Sequence, residues 1–222
     1  MLEKKHVYET LVQMMDKYPG TRMGIANIGY SEFSGQYSHA LVFAIPHGKI
    51  FTLENYSEQE FENTISAAKV EADAIISKVT DYFGNQEIAY LVPPLAQTDE
   101  KFLIAPFSFK YAAVHAGLGW IGKNGVLITK EYGPRVRLSA VLVNHPLPAG
   151  KPVRKSLCAE DCFLCVDACP YNAIKGTQWN IYTQREDLID YHLCNLKRSR
   201  YLKKHGRKNA CGLCMAACPV GI

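Results

Sequence analysis

A chain of 222 residues, 48% hydrophobic and 21% charged, can bury a substantial core and is long enough for one medium domain plus a small one. A net charge of +4 argues against a dedicated nucleic-acid binder. The opening Met1-Leu2-Glu3-Lys4-Lys5-His6 lacks the apolar stretch of a secretory signal, and no run of about 18 apolar residues could cross a bilayer. The sequence therefore predicts a soluble protein of a reducing cytoplasm, without a membrane partner.

Lys4 to Tyr18 carries Val7, Leu11 and Met14/Met15 at helical spacing, and Pro19-Gly20 ends the period. Two short apolar runs, Met23 to Ile28 and Ala40 to Ile45, are bounded by glycine, serine and proline and predict buried strands. Ser57 and Glu60 spell a capping box at the head of a long helix. Its apolar stripe runs through Phe61, Ile65, Ala68, Ala72, Ile75/Ile76, Val79 and Phe83 up to Gly84. The charged residues of that helix, Glu62, Glu71, Asp73 and Lys78, are expected on its solvated face.

Ile88 to Val92 predicts a third strand, stopped by Pro93-Pro94, and Phe107 to Ala116 a further helix. A glycine-rich turn follows, then strands Val126 to Thr129 and Val136 to Val143. Residues 1–148 thus read as an α/β domain. Pro146, Pro148, Gly150 and Pro152 make the linker into a smaller domain, residues 149–222, so the fold class is α+β.

Within the turn, Gly117-Leu118-Gly119-Trp120-Ile121-Gly122 matches G-x-G-x-x-G. A dinucleotide fingerprint needs a strand before it and a helix after it. Here the order is reversed, no helix N-terminus is placed for a pyrophosphate, and nicotinamide binding is rejected. What remains is a loop whose backbone approaches something closely, with Trp120 as a flat apolar wall and Lys123 and Asn124 as polar groups. A tight turn that merely packs on the core meets the same pattern.

The smaller domain holds all eight cysteines. Cys158, Cys162, Cys165 and Cys169 precede Pro170, and Cys211, Cys214 and Cys218 precede Pro219, with Cys194 between the runs. Closely spaced thiolates ending in Cys-Pro are how bacterial ferredoxins hold iron-sulfur clusters, the last cysteine of each run ligating the other cluster. The assignment that follows puts Cys158, Cys162, Cys165 and Cys218 on one 4Fe-4S cluster and Cys194, Cys211, Cys214 and Cys169 on a second. Proline turns the chain sharply after each crossing ligand. Three residues separate Cys158 from Cys162 where the ferredoxin run has two, a looser first loop.

Other readings fit less well. Zinc wants two C-x2-C pairs or a Cys/His set, which neither the Cys-Pro endings nor an eighth thiolate suits. Cys158, Cys162 and Cys165 also spell the C-x3-C-x2-C of radical enzymes that cleave S-adenosylmethionine, but Cys169-Pro170 follows at once and a second run is present. Structural disulfides need an oxidising compartment, to which nothing here points.

Lys197, Arg198, Arg200, Lys203, Lys204, Arg207 and Lys208 form a basic stretch without an acid. It either offsets the negative charge of thiolate-ligated clusters, docks an acidic electron donor such as flavodoxin or ferredoxin, or meets RNA phosphates.

Ala116 to Asn124, Leu127-Ile128-Thr129, Tyr132-Gly133-Pro134, Arg137-Leu138, Val141-Leu142 and the eight-cysteine pattern together resemble the epoxyqueuosine reductase family over roughly residues 105–220. Members of that family are similar to reductive dehalogenases. The resemblance implies a nitroreductase-like α/β sandwich that binds a corrinoid, joined to a ferredoxin-like domain with two 4Fe-4S clusters that feed electrons to cobalamin. It also implies that the loop of Gly119, Trp120, Gly122, Lys123 and Asn124 faces the corrinoid, and that a small-molecule substrate is reduced there.

Two departures from the family stand out. Its catalytic aspartate would fall at or beside Leu103, ahead of Ala105-Pro106, where no acid stands. Asp99 and Glu100 are the nearest acids and could replace it as proton donor. The sequence ends at Ile222, short of the region with which the family grips tRNA, so tRNA is not expected as substrate. Asp190-Tyr191-His192-Leu193-Cys194-Asn195 approaches the D-x-H-x-x-G of histidine-on corrinoid proteins but lacks the glycine and runs through a cluster cysteine. His192 is set aside, and His6, His39, His47, His115, His145 and His205 show no ligand spacing. An electron carrier or corrinoid-handling protein without a substrate of its own is the alternative to a reductase.

Overall fold

The N-terminal helical period closes into α1, Leu2–Met15, in the computed structural model, which describes residues 2–94, 103–196 and 211–222. Val7 and Leu11 supply its buried face. The two apolar runs become β1, Arg22–Asn27, and β2, His39–Pro46, antiparallel with Met23 opposite Phe43 and Ile25 opposite Leu41. The long stripe becomes α2, Glu58–Asn85. Then come β3, Tyr90–Leu91, α3, Phe109–His115, the strands β4, Trp120–Ile121, and β5, Leu127–Ile128, and finally β6, Val136–Val143.

Residues 1–46, 68–118 and 137–153 form one compact unit. Its sheet has the order β1-β2-β6-β3, with β3 antiparallel to β6. The central β2 is buried from Ala40 to Ile45, as a strand covered on both faces must be. Leu11, Leu41, Phe43, Ile75, Val79, Phe83 and Val141 share the core. Ile75 is fully buried whereas Val70, on the same helix, is 70% exposed. Ile75→Val should therefore cost about 1 kcal/mol in urea unfolding, while Val70→Ala stays within about 0.5 kcal/mol of wild type. Equal losses at both positions would put the stripe on the wrong face.

Residues 47–67, 119–136 and 154–222 form a second compact unit. The second unit also takes in two earlier segments, because their side chains bond the backbone of the cysteine runs. Its apolar cluster joins Phe51, Phe61 and Ile65 to Met215 and Ala216. Both units together are a mixed α/β fold.

Three expectations need correction. The third strand is only Tyr90–Leu91 rather than Ile88 to Val92. Glu87 takes φ 53° and the Ile88 N–H returns to the Phe83 carbonyl, so the chain is still leaving the helix there, and Pro93-Pro94 then removes two ladder donors. Glu62 is 2% exposed instead of solvated, and its carboxylate accepts from the Ser66 hydroxyl at 3.2 Å. At the head of α2 the Glu60 N–H donates to Ser57 Oγ at 3.4 Å, but the Glu60 carboxylate pairs with Lys49.

Candidate functional site

Each cysteine run contains a single helical turn, Leu164–Asp167 in the first and Leu213–Ala216 in the second, and the two turns pack on one another. Each turn carries a cysteine, Cys165 and Cys214, and each run ends in Cys-Pro. Cys158, Cys162 and Cys165 line a cavity of about 240 Å³ together with Cys218 from the far run and with Lys123. These four cysteines are the crossed set expected for the first cluster. Burial, and then Cys218, Cys158 and Cys162, push the Cys165 thiol up to about 12.

Cys214 is pushed far up as well, first by burial and then by Cys211, Cys194, Cys165 and Cys169. Three of those four neighbours belong to its expected set. Crowded thiols in a dry site resist ionisation unless a cation shares them; iron meets that need, since its ligands are thiolates. Among the described residues no three His, Cys, Asp or Glu side chains gather closely enough to hold a single metal ion. A 4Fe-4S cluster asks something different, because each thiolate binds its own iron and the sulfurs stand apart. The donor set suits the cluster.

Side chains from the two earlier segments satisfy the carbonyls of these runs. Lys123 Nζ donates to the carbonyls of Ala159, Glu160 and Cys162 at 3.2, 2.8 and 3.0 Å, three acceptors for the three donors of an ammonium. Arg135 donates through Nη2 to the Cys218 carbonyl at 2.7 Å and through Nη1 to that of Val220 at 2.8 Å. Asn124 donates to the Cys214 carbonyl at 3.3 Å, and the Tyr56 hydroxyl to that of Cys211. Gln178 donates to the Cys158 carbonyl at 2.9 Å, while the Ala173 N–H donates to Cys169 Sγ at 3.3 Å. N–H bonds to cluster sulfurs are one of the levers on redox potential.

The glycine-rich turn is preceded by a helix and followed by a strand, the order read from the sequence. β4 and β5 pair as a hairpin, with Trp120 opposite Ile128 and Ile121 opposite Leu127. A Cβ on Gly119 would stand 2.1 Å from the Ile128 carbonyl oxygen, and one on Gly122 would stand 2.8 Å from the Ile128 side chain. The close approach these glycines permit is made by the chain's own strand. Lys123 and Asn124 are 2% and 3% exposed and serve the cysteine runs. Trp120 is buried, and its indole N–H has no partner among the described residues.

Arg135, Tyr56 and Gln178 were not picked out by sequence. For Arg135 a signal existed: an arginine that opens an apolar strand directly after Gly133-Pro134. For Tyr56 and Gln178 there was none. Leu103 is buried with φ 53°. The His192 N–H donates to Asp190 Oδ1 at 3.0 Å, a helix-entry contact. Asp99, Glu100 and the basic stretch from Lys197 to Lys208 lie outside the described residues. No described helix is long and apolar enough to cross a membrane.

No family model matches the chain. It is 38% identical to the epoxyqueuosine reductase of Synechococcus sp. (strain RCC307) over 115 residues, 52% of this chain and 35% of that protein. It is 29% identical to the tetrachloroethene reductive dehalogenase of Dehalobacter restrictus over 202 residues, 85% of this chain and 33% of that one. The chain thus spans about a third of the length of these two curated relatives. Among solved structures, an epoxyqueuosine reductase bound to an epoxyqueuosine-modified tRNA-Tyr stem loop covers 98% of this chain, which covers 66% of it, with TM-score 0.62 at 15% identity. A reductive dehalogenase structure described as suggesting a mechanism for B12-dependent dehalogenation covers 94%, which in turn is 31% of that chain, with TM-score 0.67 at 17% identity. At these identities the structures speak for the fold. In sequence the chain is thus similar to epoxyqueuosine reductases and to reductive dehalogenases, and it shares the fold of both.

Proposed function

We propose that the chain is an iron-sulfur oxidoreductase. Residues 149–222 hold two 4Fe-4S clusters, one on Cys158, Cys162, Cys165 and Cys218 and one on Cys169, Cys194, Cys211 and Cys214. The observation that carries this reading is the cavity lined by the first three of these cysteines and by Cys218, 53 residues beyond Cys165. The clusters would supply one-electron transfer from an acidic donor such as flavodoxin or ferredoxin in a reducing cytoplasm, and residues 1–148 would hold a cobalamin as the acceptor.

Cobalamin, when bound, would supply the strongly reducing cobalt centre. This chain's own share is to bind and orient. Within the Gly119 to Asn124 loop we assign contact with the corrinoid to Trp120, whose buried N–H is the unclaimed donor there. Gly119 and Gly122 keep the hairpin closed, and Lys123 and Asn124 keep the cysteine runs in place.

A visible spectrum tests the cofactor. Protein purified anaerobically and supplied with cobalamin should show a broad iron-sulfur shoulder plus sharp corrinoid bands that survive gel filtration and change on reduction. The shoulder without retained bands would favour the alternative, an electron carrier with no substrate of its own. Corrinoid bands without turnover of any substrate would favour a corrinoid-handling protein.

The substrate is reduced by a proton and electrons, and the resemblance puts Leu103 where the proton donor would be. Reduced protein with cobalamin and tRNA carrying epoxyqueuosine is therefore expected to yield no queuosine. A structural neighbour bound to such a tRNA stem loop weighs against setting tRNA aside, so this arm belongs in the test. Turnover would overturn the expectation and assign the proton to Asp99, Glu100 or Tyr111. Tyr111 stacks edge-on against Tyr30 at 4.9 Å, and burial followed by Tyr111 raises the Tyr30 pKa.

A further inference from the structure

We propose that Lys123 and Arg135 are a pair of buried cations that position the ligands of the first cluster and set its reduction potential. The inference rests on the cluster reading above. Lys123 is 2% and Arg135 4% exposed, yet among the described residues neither meets a carboxylate within ion-pair distance. A buried charge without a counter-charge is costly. Hydrogen bonds to carbonyls satisfy the donors but leave the charge itself unbalanced. The missing anion is supplied by a cluster ligated by four thiolates, and it gains further negative charge when reduced.

The placement is specific. Lys123 lines the same cavity as Cys158, Cys162, Cys165 and Cys218, and its three carbonyl partners belong to the loop that carries the first two of those cysteines. Its ammonium also lies 4.1 Å from the centre of the Phe163 ring, a cation–π contact. Arg135 grips the carbonyl of Cys218, the ligand that crosses from the other run, so the two cations secure the near and far halves of one ligand set. The second set is gripped by neutral groups among the described residues: the Tyr56 hydroxyl, the Asn124 amide and the Ala173 N–H. A cation beside a cluster in a dry site favours the more negative, reduced form. Taking the cation away must lower that cluster's potential.

The test is a redox titration of the full chain, reconstituted anaerobically with iron and sulfide and followed by electron paramagnetic resonance. Iron and sulfide contents are measured first; a wild-type chain that takes up no iron refutes the cluster reading and this inference with it. With wild type loaded, Lys123→Gln should shift the reduction equilibrium of one cluster at least tenfold toward the oxidised form, 59 mV for a one-electron couple, and shift the other less. Lys123→Arg should restore most of the difference. Two unchanged potentials in a fully loaded Lys123→Gln overturn the proposal. If Lys123→Gln loses about half the iron while Lys123→Arg keeps all of it, the positioning role is supported by retention of charge; loss in both alike overturns it.

Discussion

Cys218→Ala should remove about half of roughly eight irons per chain, and the cluster that disappears should be that of the first run. Cys218 lines the cavity of Cys158, Cys162 and Cys165, and its thiol is felt by Cys165 ahead of that residue's own run partners. The measurement compares pairs of variants. Cys218→Ala and Cys158→Ala should leave the same paramagnetic spectrum, that of the second cluster, because each removes a ligand of the first. Cys169→Ala and Cys214→Ala should leave the other spectrum. If Cys169→Ala matches Cys158→Ala instead, each run holds its own cluster and the crossed assignment is wrong.

Gly133→Val should cause a loss of similar size without touching a ligand. Gly133 adopts φ +56°, and a Cβ there would stand 1.9 Å from the Val220 carbonyl oxygen. Gly221, at φ +76°, faces back so that its own Cβ would stand 2.3 Å from the Gly133 nitrogen. The two glycines interlock the turn after β5 with the segment that follows Cys218-Pro219, and backbone on both sides leaves nothing flexible to give way. The left-handed φ and the overlap together should cost roughly 2–5 kcal/mol, enough to pull Cys218 from its place. We expect Gly133→Val to load about half the wild-type iron and to leave the spectrum seen for Cys218→Ala. Full loading would mean that the Val220 segment moves without carrying Cys218 along. The same geometry redirects any test at Gly122: a valine there meets Ile128, so it should disturb the hairpin before it touches a cofactor.

The contrast between α2 and the carbonyl clamps shows where sequence reading stops. Periodicity placed the buried face of α2 correctly from Ala68 to Phe83, because every residue of a stripe repeats the same local signal. Glu62 broke the pattern, since charge alone assigned it to solvent while its position on the first turns of the helix buries it. Nothing local marks Tyr56 as a partner of Cys211, 155 positions away.

By itself the sequence set seven cysteines in two Cys-Pro runs with Cys194 between them, because thiolate spacing within a run is local chemistry. It also gave the longer helices and strands in their order, but not β4, which lies inside the glycine turn. Only the tertiary structure decided what that turn is for. Its glycines make room for Ile128, and Lys123 and Asn124 turn toward the cysteine runs. Arg135 secures Cys218 in the same way. The reason is physical. A buried carbonyl must find a donor wherever the fold brings one, and neither composition nor periodicity records which residues, distant along the chain, the fold brings within hydrogen-bonding reach.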